Sequence, residues 1–183
     1  MLADAKDPIA RFLDQGLAEL GPRLGPILWQ FMPTKRFDPE DFERFLDLLP
    51  GKLGGLPLRH CVEPRHESFV DDRFVKMCSA REVAICLSDH ATYPLIEAPD
   101  PPFIYARLMR LDERRPLGYP RQGLAEWARR LAGLAAGGRD LFVFFIGAGG
   151  AGKLRAPAAA KALLREFGVK RPALALPQGK RGT

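Results

Sequence analysis

The segment Glu63-Pro64-Arg65-His66-Glu67-Ser68-Phe69 gathers a carboxylate, a guanidinium, an imidazole and a hydroxyl into one short stretch. A carboxylate and an imidazole can take up and release protons, and a guanidinium holds oxyanions in its planar fork of donors. Further candidates stand near the ends of other apolar runs: Gln30 in PILWQF, Asp89 and His90 after VAICLS, and Tyr105 and Arg107 in FIYARLM. Strands so apolar have little other reason to carry such groups. Glu63 is assigned the role of general base or of anchor for a guanidinium, and His66 that of proton shuttle. Gln30, Arg65, Asp89, Tyr105 and Arg107 are assigned to ligand binding, the arginines holding anions.

A second account of the same residues needs no ligand. Buried charges are costly unless paired, so Glu63 with Arg107 would also serve as a structural ion pair. Period-two alternation places Arg59, Cys61 and Glu63 on one face of their run and Leu58, His60 and Val62 on the other. Glu63 and Arg107 are expected within salt-bridge reach on the inward face, and His60 is expected to be a packed core histidine. His66 and His90 with Glu63 and Asp89 could supply metal ligands, but no HExxH pattern or close histidine pair is present. No metal and no cofactor are therefore expected, a divalent ion being the minor alternative. Cys61 and Cys86 lie inside apolar runs, where burial raises a thiol pKa and hides the nucleophile.

Residues 147–154, GAGGAGKL, follow an apolar run and satisfy both GxGxxG and GxxxxGK. A phosphate-binding P-loop needs Ser or Thr after the lysine to reach magnesium, and Leu154 stands there. A dinucleotide fingerprint needs an acidic residue at the end of a following strand, and only a helix and a tail follow. ATP and NAD binding are expected to be weak or absent.

The elements that must position these side chains alternate along the chain. Helical spacing is read over 5–20, 39–49, 68–78, 121–136 and 156–167, the second opening with Asp38 as N-cap and Pro39 at the first position. Apolar runs read as buried strands at 26–31, 58–64, 83–89, 103–109 and 141–146, with a proline-rich loop over 94–102. Strands alternating with helices indicate an α/β fold of parallel βα units, and the polar residues near the strand ends gather at one end of the sheet. Residues 1–171 read as one domain and 172–183 as a flexible tail.

Composition sets the outer bounds. Of 183 residues, 46% are hydrophobic and 27% charged, which suits a globular chain with one sizeable core. No apolar run is long enough for a membrane helix, and no secretory signal is visible at the N-terminus. The cysteines Cys61, Cys78 and Cys86 are odd in number and widely spaced, which suits reduced thiols in a cytoplasmic protein. The net charge of +6 is compatible with an anionic or nucleic-acid partner. Part of that excess lies near the C-terminus, in Lys170, Arg171, Lys180 and Arg181.

In order and spacing, GPILWQF, HCVEPRHESF, FIYARL, LAEWARRL and DLFVFFI followed by APAAAKALL resemble the YecE-like family, a TIM-barrel domain of unknown function. The most specific element is E-x-R-H-x-S-[FW], here Glu63, Arg65, His66, Ser68 and Phe69. Tyr105 and Arg107 match a strand Y-x-R motif, and Gln30 matches the glutamine of an L-[FW]-Q-F strand. Two departures stand out: Met109-Arg110 replaces His-Gly after Y-x-R, and Ile146-Gly147 stands where many relatives carry asparagines. The resemblance implies a partial, open TIM-type barrel corresponding to strands four to eight, without the first three strands. The polar strand-end residues are read as a site for a phosphate-bearing or nucleic-acid ligand at the carboxyl ends of the strands, and the family's barrel makes hydrolysis conceivable. The alternative is a non-catalytic truncated barrel acting through protein–protein assembly. Open edges at 26–31 and 141–146, which carry no charge, would then drive self-association.

Overall fold

The computed structural model describes residues 1–147 and 152–168, in which helices are interspersed with single strands and runs of strands. Helix α1 (Lys6–Leu13) and a 3-10 segment (Leu17–Arg23) precede strand β1 (Ile27–Gln30) and helix α2 (Pro39–Asp47). A short antiparallel hairpin, β2 (Lys52–Leu53) with β3 (Leu56–Pro57), leads into β4 (His60–Glu63). A 3-10 turn (Glu67–Phe69) and α3 (Asp72–Ala80) follow, then β5 (Ala84–Ile85), β6 (Leu87–Asp89) and β7 (Ile104–Leu108). Helix α4 (Arg121–Leu134), β8 (Leu141–Phe145) and α5 (Gly152–Glu166) complete the described chain.

The strands that carry the candidate residues are parallel. One sheet has the order β1-β4-β5 and another β6-β7-β8, with registers that set Gln30 beside Glu63, Cys61 beside Ala84, and Ser88 beside Arg107. Cys86 alone separates β5 from β6, and its N–H donates to the Val62 carbonyl at 2.8 Å. The architecture is mixed α/β with parallel strands in open sheets, and among the described residues no barrel closes.

The helices cover one side of these sheets. Asp38 accepts from the Asp41 N–H at 3.1 Å and starts α2, with Pro39 at the first position, where its missing N–H costs nothing. Phe42, Phe45 and Leu46 then fall on one face of α2 and are buried. They meet Phe31, Phe69 and Phe74 in an aromatic cluster beneath β1 and β4. Phe42, Phe69 and Phe74 are wholly buried there. A second cluster joins α4 and α5 to β7 through Leu108, Leu124, Leu131 and Leu163. On the other side of the sheets lies a smaller group of Cys61, Ala84, Cys86, Phe103 and Tyr105.

Four element boundaries differ from the sequence reading. The first helix stops at Leu13, because Gly16 takes a left-handed φ of 86° and the chain continues as 3-10 turns. The helix expected over 68–78 divides into the Glu67–Phe69 turn and α3, because Asp71 caps a fresh helix by accepting from the Arg73 N–H at 2.8 Å. The strand expected over 83–89 is split at Cys86 between two neighbours, one half pairing with β4 and the other with β7. Helix α5 begins at Gly152 and runs through Pro157, so the proline removes an internal hydrogen bond without setting the start. The tail over 172–183 lies outside the described residues.

Candidate functional site

Alternation along β4 sends Val62 into the phenylalanine cluster and turns Cys61 and Glu63 to the opposite face. Glu63 is wholly buried, at 0% exposure. Its Oε2 accepts from Gln30 Nε2 at 3.0 Å and from Arg107 Nη1, and its Oε1 accepts from Arg65 Nε at 2.9 Å. The pair anticipated between Glu63 and Arg107 is therefore formed. Gln30 arrives through the β1–β4 register, Arg65 lies just past the end of β4, and Arg107 comes from β7 beyond the intervening segment. A carboxylate this deep would be costly alone, and two guanidinium groups and an amide offset that cost. The cluster keeps one positive charge in excess, and the Arg65 and Arg107 side chains stay 22% and 14% exposed.

The second half of the same motif is tied to the neighbouring loop. His66 Nδ1 accepts from the Ser68 N–H at 3.0 Å and from the Ser68 hydroxyl at 2.9 Å. Ser68 Oγ in turn accepts from the Phe37 N–H at 2.8 Å, fastening the chain after β1 to the chain after β4. Phe69 stacks on Phe31 with centroids 5.6 Å apart. Arg36, next to Phe37, brings Nη1 to 3.5 Å from His66 Nε2. The Arg65 guanidinium lies 5.1 Å from the Tyr93 ring centroid, and Tyr93 stacks on His90 at 3.7 Å.

Gln30, Glu63, Arg65 and Arg107 are thus brought together, and His66 stands beside them in the chain with other partners. Asp89 is directed elsewhere. Its Oδ2 accepts from the Tyr119 hydroxyl at 2.7 Å, and its Oδ1 lies 4.0 Å from Arg110 Nη1. Burial and the neighbouring Asp89 carboxylate push the Tyr119 phenol up, so it stays protonated as the donor. Tyr105 packs against Phe144 with centroids 5.0 Å apart, and burial pushes its phenol up to about 12. Asp89 and Tyr119 instead line a cleft of about 610 Å³ with Arg110, Arg115, Gly123 and Trp127, outside the carboxyl ends of β6 and β7.

Arg36, Tyr93 and Tyr119 were not singled out from the sequence, because each reaches its partner from a loop and carries no strand or helix periodicity. The only sequence signal for Arg36 is its place beside Phe37, an aromatic residue in a polar stretch. His60 takes the packed position expected of it: Nδ1 accepts from Trp29 Nε1 at 3.1 Å, and Nε2 donates to the Pro50 carbonyl at 2.8 Å. Among the described residues no group of three or more His, Cys, Asp and Glu is arranged to hold a metal ion. His66, His90, Glu63 and Asp89 are not brought together as ligands. Residues 148–151 of the glycine-rich segment lie outside the described residues. No described helix is long and apolar enough to cross a membrane.

The chain is similar in fold to two solved structures. One is a DUF72 family protein from Enterococcus faecalis V583, with a TM-score of 0.67 and 16% identity, the match covering 87% of this chain and 67% of that one. The other is a DUF72 family protein from Thermotoga maritima MSB8, with a TM-score of 0.66 and 18% identity, covering 89% of this chain and 65% of that one. The chain therefore spans about two thirds of the length of either. No curated protein matches it. Residues 1–181 match the family described as "Protein of unknown function DUF72". The chain belongs to the DUF72 family, of which YecE-like is another name.

Proposed function

We propose that the chain binds a phosphate-bearing ligand, nucleic acid being the polymeric form of that chemistry, at the carboxyl ends of its parallel strands. Arg65 and Arg107 hold the anion, Gln30 lines the same edge, and Glu63 is their anchor. One observation carries the reading: a single wholly buried carboxylate accepts from both guanidinium groups and from Gln30 at once. A guanidinium has five donors, so fixing one of them on Glu63 orients the rest without using them up. Glu63 serves better as anchor than as base, since its two oxygens already accept three hydrogen bonds. Where a reaction accompanies binding, His66 is the group placed to move a proton. Asp89 and Tyr105 flank the site, the first through the neighbouring cleft and the second two residues before Arg107 on the same strand. No metal or cofactor enters this reading.

Calorimetric titration with inorganic phosphate and with a single-stranded oligonucleotide, each at two salt concentrations, tests it. Binding should weaken with salt. Arg107→Gln should weaken it about tenfold or more, the usual effect of losing a hydrogen bond to a charged group. Affinity unchanged by that substitution overturns the assignment.

The fold also supports a finer reading. The strands β1, β4, β5 with β6, β7 and β8 neighbour one another in chain order and run parallel, as strands four to eight of a TIM-type barrel would. Residues 1–171 would form that domain and 172–183 its tail. Among the described residues strands β1 and β8 each pair on one side only, and Phe144 of β8 is 42% exposed. An assembly role, through strands added at these edges by another chain, is the second reading. Sedimentation of the purified chain decides it: a monomer at all concentrations argues against edge pairing, and concentration-dependent association argues for it. The three buried free cysteines suit a reducing, cytoplasmic setting.

A further inference from the structure

The contact between Arg36 and His66 has its proton placement fixed by the rest of the motif. The Ser68 N–H can only donate, and it points at His66 Nδ1 from 3.0 Å, so Nδ1 carries the lone pair. The Ser68 hydroxyl, whose oxygen is already accepting from the Phe37 N–H, gives its own proton to the same Nδ1. The neutral ring must then hold its proton on Nε2. Nε2 faces Arg36 Nη1 at 3.5 Å, and a guanidinium nitrogen has no lone pair to offer. Two N–H donors thus confront each other with no acceptor for either among the described residues.

The backbone that carries this pair is held by the fold. Arg36 is exposed, and its neighbour Phe37 is fastened by its N–H to Ser68, the residue that holds the imidazole. Phe37 is further wedged against Phe69 and Phe42, with centroids 5.3 and 5.9 Å away. The backbone on both sides of the pair is therefore set before any ligand arrives.

We propose that Arg36 Nη1 and His66 Nε2 form an oxyanion subsite that takes a phosphate group, one acceptor oxygen or two neighbouring ones bridging both donors. The inference rests on the reading that the mouth takes phosphate, and it adds a second anchor beside Arg65 and Arg107. The guanidinium is charged at any working pH and the imidazole N–H is polarised beside it, so an anion is favoured over a neutral carbonyl. His66 is in this account a binding residue through Nε2 and a positioning residue through Nδ1.

The test uses the full chain labelled with nitrogen-15 and long-range proton–nitrogen correlations of the imidazoles. The expected spectrum shows His66 with Nδ1 unprotonated and Nε2 protonated. Inorganic phosphate should move the His66 Nε2 signal saturably, leave the His60 signals in place, and do so about tenfold or more weakly in Arg36→Ala. A proton on Nδ1 overturns the proposal, because Nε2 would then accept from Arg36 and the pair would be satisfied. Saturable phosphate binding by calorimetry that leaves His66 unmoved also overturns it, while keeping the Arg65 and Arg107 reading. If Arg107→Gln leaves phosphate affinity intact while His66 still responds, the subsite stands and the larger assignment falls. Absence of any phosphate binding overturns both.

Discussion

Strand β4 buries a polar side chain on each of its faces, and the two are satisfied by different means. On the helix-covered side His60 joins Trp29 to the Pro50 carbonyl, one ring nitrogen accepting and the other donating. Every polar atom of that ring is used, its partners are uncharged, and nothing remains to offer a ligand. On the opposite side Glu63 is ionically tied to Arg65 and Arg107, whose guanidinium groups keep donors in reserve. Burial alone therefore does not separate structure from site. The useful distinction is whether the partners are exhausted by the contact. His66 repeats the lesson within one ring, its Nδ1 used up by Ser68 and its Nε2 left facing another donor.

The largest expected effect comes from removing the anchor. Glu63→Ala leaves two guanidinium groups close together with no carboxylate between them. It should cost about 3–5 kcal/mol of stability, the usual result of breaking a buried ion pair from one side. His60→Ala should cost less, about 1–3 kcal/mol, since it leaves a neutral indole N–H and one carbonyl unpaired. Urea denaturation of both variants measures the gap. Equal losses would remove the distinction between the two faces.

Ser68→Ala is the next test, at about 1–2 kcal/mol. It takes the acceptor from the Phe37 N–H and one donor from His66 Nδ1, while Phe69 stays packed in the aromatic cluster. The loss should be local. Amide exchange at Phe37 should speed up markedly, while the Phe69 region stays protected. Loss of protection throughout β1 and β4 would show that Ser68 supports the whole sheet rather than the loop that carries Arg36.

These contrasts also show what could be read from the sequence. Alternation along HCVE separates His60 from Glu63, and the same period on IYAR points Arg107 towards Glu63. Pairing of opposite charges on one buried face follows from the cost of leaving either alone. The sequence sets Glu63, Arg65 and His66 in one candidate constellation, however, and the structure divides it. Glu63 and Arg65 belong to the charged cluster, whereas His66, Ser68 and Phe69 fasten two loops and fill the core. Nothing in the spacing reports that division, because it depends on where Phe37 lies, and Phe37 is in a loop of no period. The partner of Asp89 is hidden for the same reason: Tyr119 lies thirty residues on, in the turn before α4. The split at Cys86 was equally hidden, since strand breaks follow from which neighbour is paired and not from the strand's own residues.

The smallest expected effect concerns pH, and it probes the satisfied face of β4 alone. Burial lowers the His60 pKa below its ordinary 6.5, and the hydrogen bond to Pro50 only partly opposes that. Above pH 6.5 the ring is neutral in both folded and unfolded chains, and its contribution to stability is fully present. As pH falls through 6.5 the unfolded chain binds a proton that the folded one resists, so stability is lost until the folded group titrates as well. Protonation would also turn Nδ1 from an acceptor into a donor facing the Trp29 indole N–H. His60→Gln keeps an acceptor and a donor without a titrating ring, and leaves His66 and His90 in place. Its stability should therefore fall less than the parent's between pH 7 and pH 5, as measured by urea denaturation at each pH. Parallel curves for the two proteins would mean that His60 is not held neutral, and that the helix-covered face of β4 is less closed than its hydrogen bonds indicate.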